Sequence, residues 1–290
     1  MVPVMLAVQV AEQLGFSAWL GDLLAPVMGL VGLPGEAGLV WAMALLTGLY
    51  GGIGALVVLI GAVDLTALQL NILLTMILFA HAIPVEQAIV ARAGGSFWAT
   101  TAARVFCAIA FGFLLNTFGQ AFVWLQQPAS LGVVPTISAD GSWLAWLRGL
   151  ISTLVLMAAI LFALLAIIDA MKRFGLFDAI VKTCTPFFVH LGTVPALAPL
   201  VTIGMLLGLT YGGGLIIDET RRRPFTRREL FVPLVGLSII HALIEDTIVM
   251  IALGGNFWVI VVWRTAFALA VLLLLAQVMR MSGTFWRRSA

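Results

Sequence analysis

Long apolar stretches separated by short polar segments dominate the pattern along the chain. Residues 143–171 are apolar almost throughout and end at Lys172 and Arg173. Runs of about 20 apolar residues are long enough to cross a bilayer as a helix. A transmembrane barrel would instead alternate apolar and polar residues in short segments. The pattern therefore predicts an all-α polytopic membrane protein.

One segment of the chain occurs twice, 160 residues apart. HAIPVEQAIVARAGGSFW begins at His81, and HALIEDTIVMIALGGNFW begins at His241. Six of the eighteen positions are identical, and the same offset carries Thr66 onto Thr226. A match held in register over so long a distance indicates an internal duplication.

The duplication divides the chain into four parts. Residues 1–118 form the first repeat, and residues 119–142 form an extracytoplasmic connector that contains no Lys or Arg. Residues 143–172 form an additional transmembrane helix, and residues 173–290 form the second repeat. We count about nine membrane segments. Those that follow Gly15 and Gly175 are short enough to be re-entrant, and the glycine-rich segments predict broken helices.

The basic residues orient these segments, because cytoplasmic loops are enriched in Lys and Arg. Under the nine-segment count, the basic clusters of the second half fall on one side together with Arg92, beside the Gly94 turn. The equivalent turn at Gly254 falls on the opposite side. The predicted arrangement is a pair of inverted-topology repeats in a bacterial inner (plasma) membrane, with a cytoplasmic C-terminus. The clusters are Lys172–Arg173, 221–223, 227–228, 280 and 287–288.

Composition agrees with this class and excludes a soluble domain. Hydrophobic residues make up 62% of the chain and charged residues 10%, whereas soluble proteins carry about 25% charged residues. The mean hydropathy is +1.15. Cys107 and Cys184 lack the spacing of a metal site, and we expect two buried free thiols.

Four charged residues fall inside the apolar stretches and are candidates for function. Glu86 and Arg104 lie at similar distances on either side of the Gly94 turn, and Asp246 and Arg264 repeat this around Gly254. A charge near the centre of a bilayer needs a partner or a water-filled cavity. The two acids are therefore either members of structural salt bridges or parts of a pathway for a solute, cation or proton, with the arginines as charge-pair partners.

Histidines recur five residues before each acid. His81 and His241 are hydrogen-bonded core residues, or they contact a solute or relay protons, since histidine can change its charge near neutrality. His241 and Glu245 are four residues apart and would face each other on a continuous helix. A metal site at His241, Glu245 and Asp246 is a weaker alternative, and we assign no metal.

Glycine-rich segments are the second candidate feature. GLTYGGG at residues 208–214 would weaken a spanning helix and free backbone groups. These glycines either allow close helix packing or open a broken helix onto a solute. In the second interpretation the contacts come from Thr210, Tyr211, Gly212, Gly213 and Gly214, with Thr47 and Tyr50 as first-repeat counterparts.

GLTYGGG at residues 208–214 and HALIED at residues 241–246 resemble the nucleoside-recognition or gate domain family. That family includes spore maturation proteins A and B, parts of the concentrative nucleoside transporters and the membrane part of ferrous-iron transport protein B. The resemblance implies two gate-type repeats in which these motifs, with Thr247, line or gate a pathway. The first repeat departs from the pattern at Pro84 and Val85.

These observations predict a transporter or permease for a small polar or charged solute, with nucleoside-like solutes among the candidates and with proton or cation coupling. The alternative is a membrane scaffold or accessory subunit of the spore-maturation type that transports nothing. We expect no enzymatic activity, no cofactor and no nucleic-acid partner. The expected partners are the lipid bilayer and the solute, and self-association is left open.

Overall fold

The structure is a computed structural model that describes residues 2–59, 63–132 and 143–281. Within these residues the chain is helical, with fourteen α-helices, one π-helical segment and no strand. One isolated antiparallel bridge joins Thr66 to Pro128. The predicted all-α class is confirmed. The last nine residues, including the basic pair at 287–288, and residues 133–142 of the predicted connector lie outside the described residues.

The helices of the first part of the chain are short until α7. They are α1 Val2–Gln13, α2 Phe16–Leu30, α3 Ala37–Thr47, α4 Leu49–Leu59, α5 Ala67–Phe79, α6 Ile83–Arg92 and α7 Phe97–Ala121.

The second part begins with the longest helix and then repeats the order of short helices. Its helices are α8 Trp143–Arg173, α9 Leu176–His190, α10 Ala198–Leu207, α11 Leu209–Arg222, α12 Arg227–Ile239 and α13 Glu245–Ala252, followed by the π-helical segment Trp258–Trp263 and α14 Arg264–Met281.

Four stretches of the described residues are long and apolar enough to cross a membrane: Ala67–Arg92, Phe97–Ala121, Trp143–Arg173 and Trp258–Met279. The helix α8 is mostly exposed along its length, as expected of a helix that faces lipid. The other apolar helices have about 10 to 15 residues. The shortest of them span about half of the hydrocarbon core, and the longest span most of it.

The chain divides into two compact units, and each unit contains parts of both repeats. The first unit comprises Met1–Pro84, Val105–Leu164 and Asp246–Val262. The second unit comprises Val85–Arg104, Leu165–Glu245 and Trp263–Ala290. The helix α5 is buried along almost its whole length in the first unit, and α12 is buried in the same way in the second.

Unusual backbone conformations recur at the 160-residue offset. Gly48 and Gly208 have φ of 98° and 108°, and the non-glycine residues Ala82 and Ala242 have φ of 47° and 48°. Thr66 and Thr226 each begin a helix with a reciprocal capping box, in which the residue three positions later bonds back to the threonine amide. The duplication seen in the sequence is thus also present in the local backbone.

In the first unit, α3 and α4 fold back on each other at Gly48. A β-carbon placed on Gly52 would lie 2.6 Å from the β-carbon of Ala44, eight residues earlier. In a straight helix, residues eight apart are separated by about 12 Å along the axis. The two helices therefore form a helical hairpin, which we call the α3–α4 hairpin.

The second unit contains the equivalent α10–α11 hairpin, which turns at Gly208. A β-carbon on Gly212 would meet the Cα of Gly204 and would lie 3.4 Å from the carbonyl oxygen of Leu200. Glycine is needed at Gly212 because the two backbones are in direct contact there. The predicted segments 41–62 and 195–217 are therefore not single spanning helices, since each reverses direction at a glycine.

Two further sequence predictions need correction. The apolar pattern over 66–92 and over 229–253 predicts one continuous helix each, but the structure interrupts both. Ala80 and Ile240 are extended, and the next helix begins three or more residues later. Cys107 is a buried free thiol as predicted, but Cys184 is exposed. In a membrane protein, an apolar stretch can meet lipid as well as the core, so hydropathy alone did not distinguish the two cysteines.

Candidate functional site

The first unit holds a buried histidine–aspartate pair. His81 lies in the interruption after α5, and Asp246 lies in the first turn of α13. Their exposed fractions are 5% and 6%. The distance from His81 Nε2 to Asp246 Oδ2 is 3.7 Å, and His81 Nδ1 lies 2.8 Å from the carbonyl oxygen of Ile77. Because a carbonyl only accepts, Nδ1 carries a proton and Nε2 faces the carboxylate.

The second unit holds a buried triad of Glu86, Arg104 and His241. One carboxylate oxygen of Glu86 pairs with the Arg104 guanidinium, and the other lies 3.3 Å from His241 Nε2. Arg104 is fully buried, and Glu86 and His241 are 7% and 2% exposed. The predicted Glu86–Arg104 ion pair is confirmed. His241 Nδ1 lies 3.1 Å from the Leu237 carbonyl oxygen, so this ring is oriented as His81 is.

A neighbouring hydrogen bond in the second unit holds α6 against α7. The hydroxyl of Thr100 bonds to the side-chain oxygen of Gln87, and both residues are buried. Thr100 also lies 2.7 Å from the carbonyl oxygen of Ser96, which fixes its rotamer. Gln87 follows Glu86, and Thr100 is one helical turn before Arg104, so this bond stabilises the geometry of the ion pair. Neither residue was among the candidates predicted from the sequence.

In each unit the hairpin turn lies against the interrupted helix that carries the histidine. In the first unit, the amide of Ala82 donates to the Ala44 carbonyl over 2.9 Å, and a β-carbon on Gly48 would lie 3.5 Å from that of Ala82. In the second unit, the amide of Leu243 donates to the Met205 carbonyl over 2.8 Å. Each buried acid–histidine pair is thus next to the point where two helices stop and backbone groups are freed.

The glycine-rich residues serve packing in part. Gly212 and Gly213 are buried, and the space next to Gly213 is filled by Ile89 of α6. Thr210 and Tyr211 are exposed, and a β-carbon added to Gly214 would have nothing within 4 Å. Gly212 therefore serves close packing, whereas Thr210 and Tyr211 lie on the accessible face of the first turn of α11.

The remaining candidate residues are distributed around the two hairpins and α13. Thr47 is exposed, and its hydroxyl bonds to the Met43 carbonyl of its own helix over 2.6 Å. Tyr50 is half-buried in the first turn of α4, and Thr247 is buried beside Asp246. Arg264 is fully buried at the start of α14. Asp246 and Arg264 belong to different compact units.

The continuous helix on which the predicted facing of His241 and Glu245 depended is interrupted in the structure. That prediction required one continuous helix, but α12 ends at Ile239 and α13 begins at Glu245. Between them Ala242 adopts φ of 48°, which no α-helix accommodates. Glu86 of the other repeat contacts His241. The sequence carried no signal for this cross-repeat pairing, because each histidine has an acid of its own five residues later.

Comparison with known proteins agrees with the membrane class. The chain is similar to a Bacillus subtilis (strain 168) protein described as uncharacterized membrane protein YvoD, with 28% identity over 295 residues that cover 99% of this chain and 90% of that protein. Together with the four long apolar stretches, this similarity supports one conclusion. The chain is a multi-pass helical membrane protein. No protein-family model and no solved structure matches it.

Proposed function

We propose that this chain is a transporter or permease of a bacterial inner membrane that moves a small polar or charged solute coupled to protons or cations. One observation carries the proposal. In each compact unit, the turn of a helical hairpin lies against an interrupted helix, and a buried histidine at that interruption faces a carboxylate.

The cost of this arrangement favours a role beyond stability. Interrupted backbone at membrane depth is tolerated where it is buried in protein or lines a cavity, and buried charges in membrane segments are expensive. Buried ion pairs are weak support for stability, because apolar residues of similar volume often stabilise a protein as well or better. Transport provides a reason to keep both features in both repeats, since solute sites commonly lie where discontinuous helices meet.

Contacts within each unit support the proposed inverted topology. In the second unit, the Gly94 turn lies beside Leu230, near the start of α12 and its basic run. In the first unit, the Gly254 turn lies against Ser130 of the connector, and the amide of Asn256 donates to Asn71 of α5 over 2.7 Å. The two equivalent turns thus neighbour segments to which the charge pattern assigns opposite sides: a basic loop and the connector without Lys or Arg.

The hairpins also bear on the number of membrane segments. Each arm of the α3–α4 hairpin has 11 residues, which span about 16 Å and so about half of the hydrocarbon core. We therefore place both hairpins in the membrane as re-entrant elements. Two of the nine predicted segments, 41–62 and 195–217, are then hairpins instead of single crossings, and the C-terminus is placed in the cytoplasm.

The test is ligand-dependent thermal stabilisation of the purified full chain. A ligand that binds the folded state raises the melting temperature by mass action. The panel contains uridine, adenosine, an amino acid, a primary amine and Mn²⁺. The proposal predicts stabilisation by one class that is lost in Asp246→Asn and His241→Ala and kept in His190→Ala, a change at an exposed histidine.

The scaffold alternative predicts a different outcome of the same experiment. If no class stabilises the wild type and Asp246→Asn alone lowers the melting temperature strongly, the buried acids act as structural ion pairs. Uridine or adenosine as the stabilising class would support the nucleoside-like solute that the motif resemblance implies.

A further inference from the structure

The orientation of the two buried histidines restricts where a proton can bind. His81 Nδ1 and His241 Nδ1 each lie within hydrogen-bonding distance of the carbonyl oxygen four residues earlier, at 2.8 Å and 3.1 Å. A carbonyl oxygen has no hydrogen to donate, so both Nδ1 atoms carry one. Only Nε2 of each ring can then gain or lose a proton.

In the second unit, that nitrogen faces an acceptor. His241 Nε2 lies 3.3 Å from Glu86 Oε1, and an ionised carboxylate presents only lone pairs. If Nε2 were also bare, two lone pairs would face each other in a buried site. The contact is attractive when one proton lies between the two atoms, either on the imidazole or on the carboxyl group.

The other charged groups decide which of the two atoms holds the proton. The guanidinium of Arg104 pairs with Glu86 Oε2, and this positive charge stabilises the ionised form of the glutamate. The proton between Glu86 and His241 is therefore placed on Nε2, where it converts the ring to an imidazolium.

Besides Glu86 and Arg104, the charged residues nearest to His241 along the chain are the two acids that begin α13, Glu245 and Asp246. The helix α12 has no charged residue between Glu229 and His241, α10 has none, and those of α11 begin at Asp218, at the end away from the hairpin turn. Glu245 at the start of α13 is half-buried, and Arg264 begins α14, which packs against α12.

The first unit repeats the arrangement with a longer separation. His81 Nε2 and Asp246 Oδ2 are 3.7 Å apart, compared with 3.3 Å for His241 and Glu86; the second distance is just beyond the usual hydrogen-bond range of about 2.7–3.2 Å, and the first is well beyond it. The same nitrogen of an equivalently oriented ring faces a buried carboxylate in both units. This recurrence argues for a property of the site rather than an accident of packing.

We propose that His241 with Glu86 is the proton-binding site of this transporter, and that the coupling ion is therefore H⁺. The inference rests on the proposed transport function. His241 Nε2 takes up a proton from one side of the membrane and releases the same proton to the other, with Glu86 as the counter-ion. Arg104 is a positioning residue that keeps Glu86 ionised.

The proton itself is observable without a solute. We would label the full chain with ¹⁵N-histidine in lipid nanodiscs and record its ring-nitrogen signals at one neutral pH. The wild type should show His241 with both nitrogens protonated. In Glu86→Gln the neutral amide no longer stabilises the cation, so Nε2 should lose its proton while Nδ1 keeps its own. His190→Gln removes the ring-nitrogen signals of His190 and leaves the His241–Glu86 pair unchanged, so it helps to assign the spectrum.

A wild-type spectrum with a bare His241 Nε2 would overturn the proposal, and so would a Glu86→Gln spectrum identical to that of the wild type. A transport experiment distinguishes failure of the proton-site proposal from failure of the proposed transport function. With uridine as probe, an inward proton gradient should drive accumulation in wild-type proteoliposomes, and Glu86→Gln should exchange uridine without accumulating it. If wild-type vesicles move neither uridine nor the other panel solutes, the transport proposal fails, while the nitrogen spectra still decide the proton site.

Discussion

At the scale of single residues, the two repeats have exchanged partners. His81 of the first repeat faces Asp246 of the second, and His241 of the second faces Glu86 of the first. Each ring is held by a carbonyl of its own helix, so the helix sets the orientation and the other repeat supplies the charge. The pairs therefore depend on both repeats being folded.

Removing Arg104 should destabilise the protein strongly. Arg104→Ala leaves Glu86 buried without its guanidinium, and breaking one side of a buried ion pair costs about 3–5 kcal/mol. The matched control is Arg173→Ala, which breaks an exposed pair with Asp169 and should cost less than about 1 kcal/mol. Thermal unfolding in detergent measures both. Equal melting temperatures for the two variants would contradict the buried pair.

The left-handed alanine at position 242 gives a second residue-scale prediction. A left-handed conformation costs a non-glycine residue about 1–2 kcal/mol, and a β-branched side chain more. Ala242→Val should therefore lower the melting temperature clearly, whereas Ala242→Gly should match or exceed the wild type. Ala91→Val, on an exposed helical position of α6, should change it little. If Ala242→Val melts with the wild type, the turn after α12 differs from the one described.

At the scale of elements, the hairpins depend on glycine where two helix backbones touch. The Cα of Gly204 occupies the place where a side chain of residue 212 would begin, and the equivalent contact in the first unit joins Gly52 to Ala44. The turn itself needs a positive φ at Gly48 and at Gly208. Small residues here therefore bring two arms together rather than weaken one long helix.

Gly212→Ala and Gly214→Ala should have opposite effects. The added methyl group at position 212 meets backbone, so the α10–α11 hairpin must open and the melting temperature should fall. At position 214 nothing lies within 4 Å, and alanine is a better helix former than glycine by about 1 kcal/mol. Gly214→Ala should thus be neutral or stabilising. Two variants of equal stability would argue against the close contact between the hairpin arms.

Local signals in the sequence predicted several features of the structure. They did not predict the points at which the chain reverses direction to form the two hairpins. The repeat offset that carries Thr66 onto Thr226 is reproduced in the structure, where both residues begin a helix with a capping box. The Glu86–Arg104 pair followed from equal spacing around Gly94. The hairpin at Gly208 could not be distinguished from a broken helix, because both need the same glycine and the contact with Gly204 is tertiary.

At the scale of the whole molecule, the proposed inverted topology requires two equivalent turns on opposite sides of the membrane. Each turn has its own contacts inside its own unit: Gly94 with Leu230, and Gly254 with Ser130. The inversion was predicted from the distribution of Lys and Arg alone, because an apolar segment by itself does not indicate its orientation in the membrane.

Cysteine accessibility tests the inversion. In a background with Cys107→Ala and Cys184→Ser, single cysteines replace the equivalent residues Phe97 and Phe257 and, as a cytoplasmic reference, the exposed Arg222. A membrane-impermeant maleimide applied to intact spheroplasts should label Phe257→Cys alone. Opened vesicles should allow labelling of all three. Labelling of Phe97→Cys together with Phe257→Cys in spheroplasts would contradict inverted repeats.

The central claim is that this protein moves a solute across the membrane, and uptake into proteoliposomes tests it most directly. Purified chain is reconstituted, and accumulation of radiolabelled uridine, adenosine, amino acid and amine is followed beside protein-free vesicles. The transport proposal predicts saturable uptake of one class by the wild type and by His190→Gln, with loss in His241→Ala. If the wild-type vesicles accumulate and exchange no solute above the protein-free level, while the protein is folded and correctly inserted, the transport function is contradicted and the scaffold alternative is favoured.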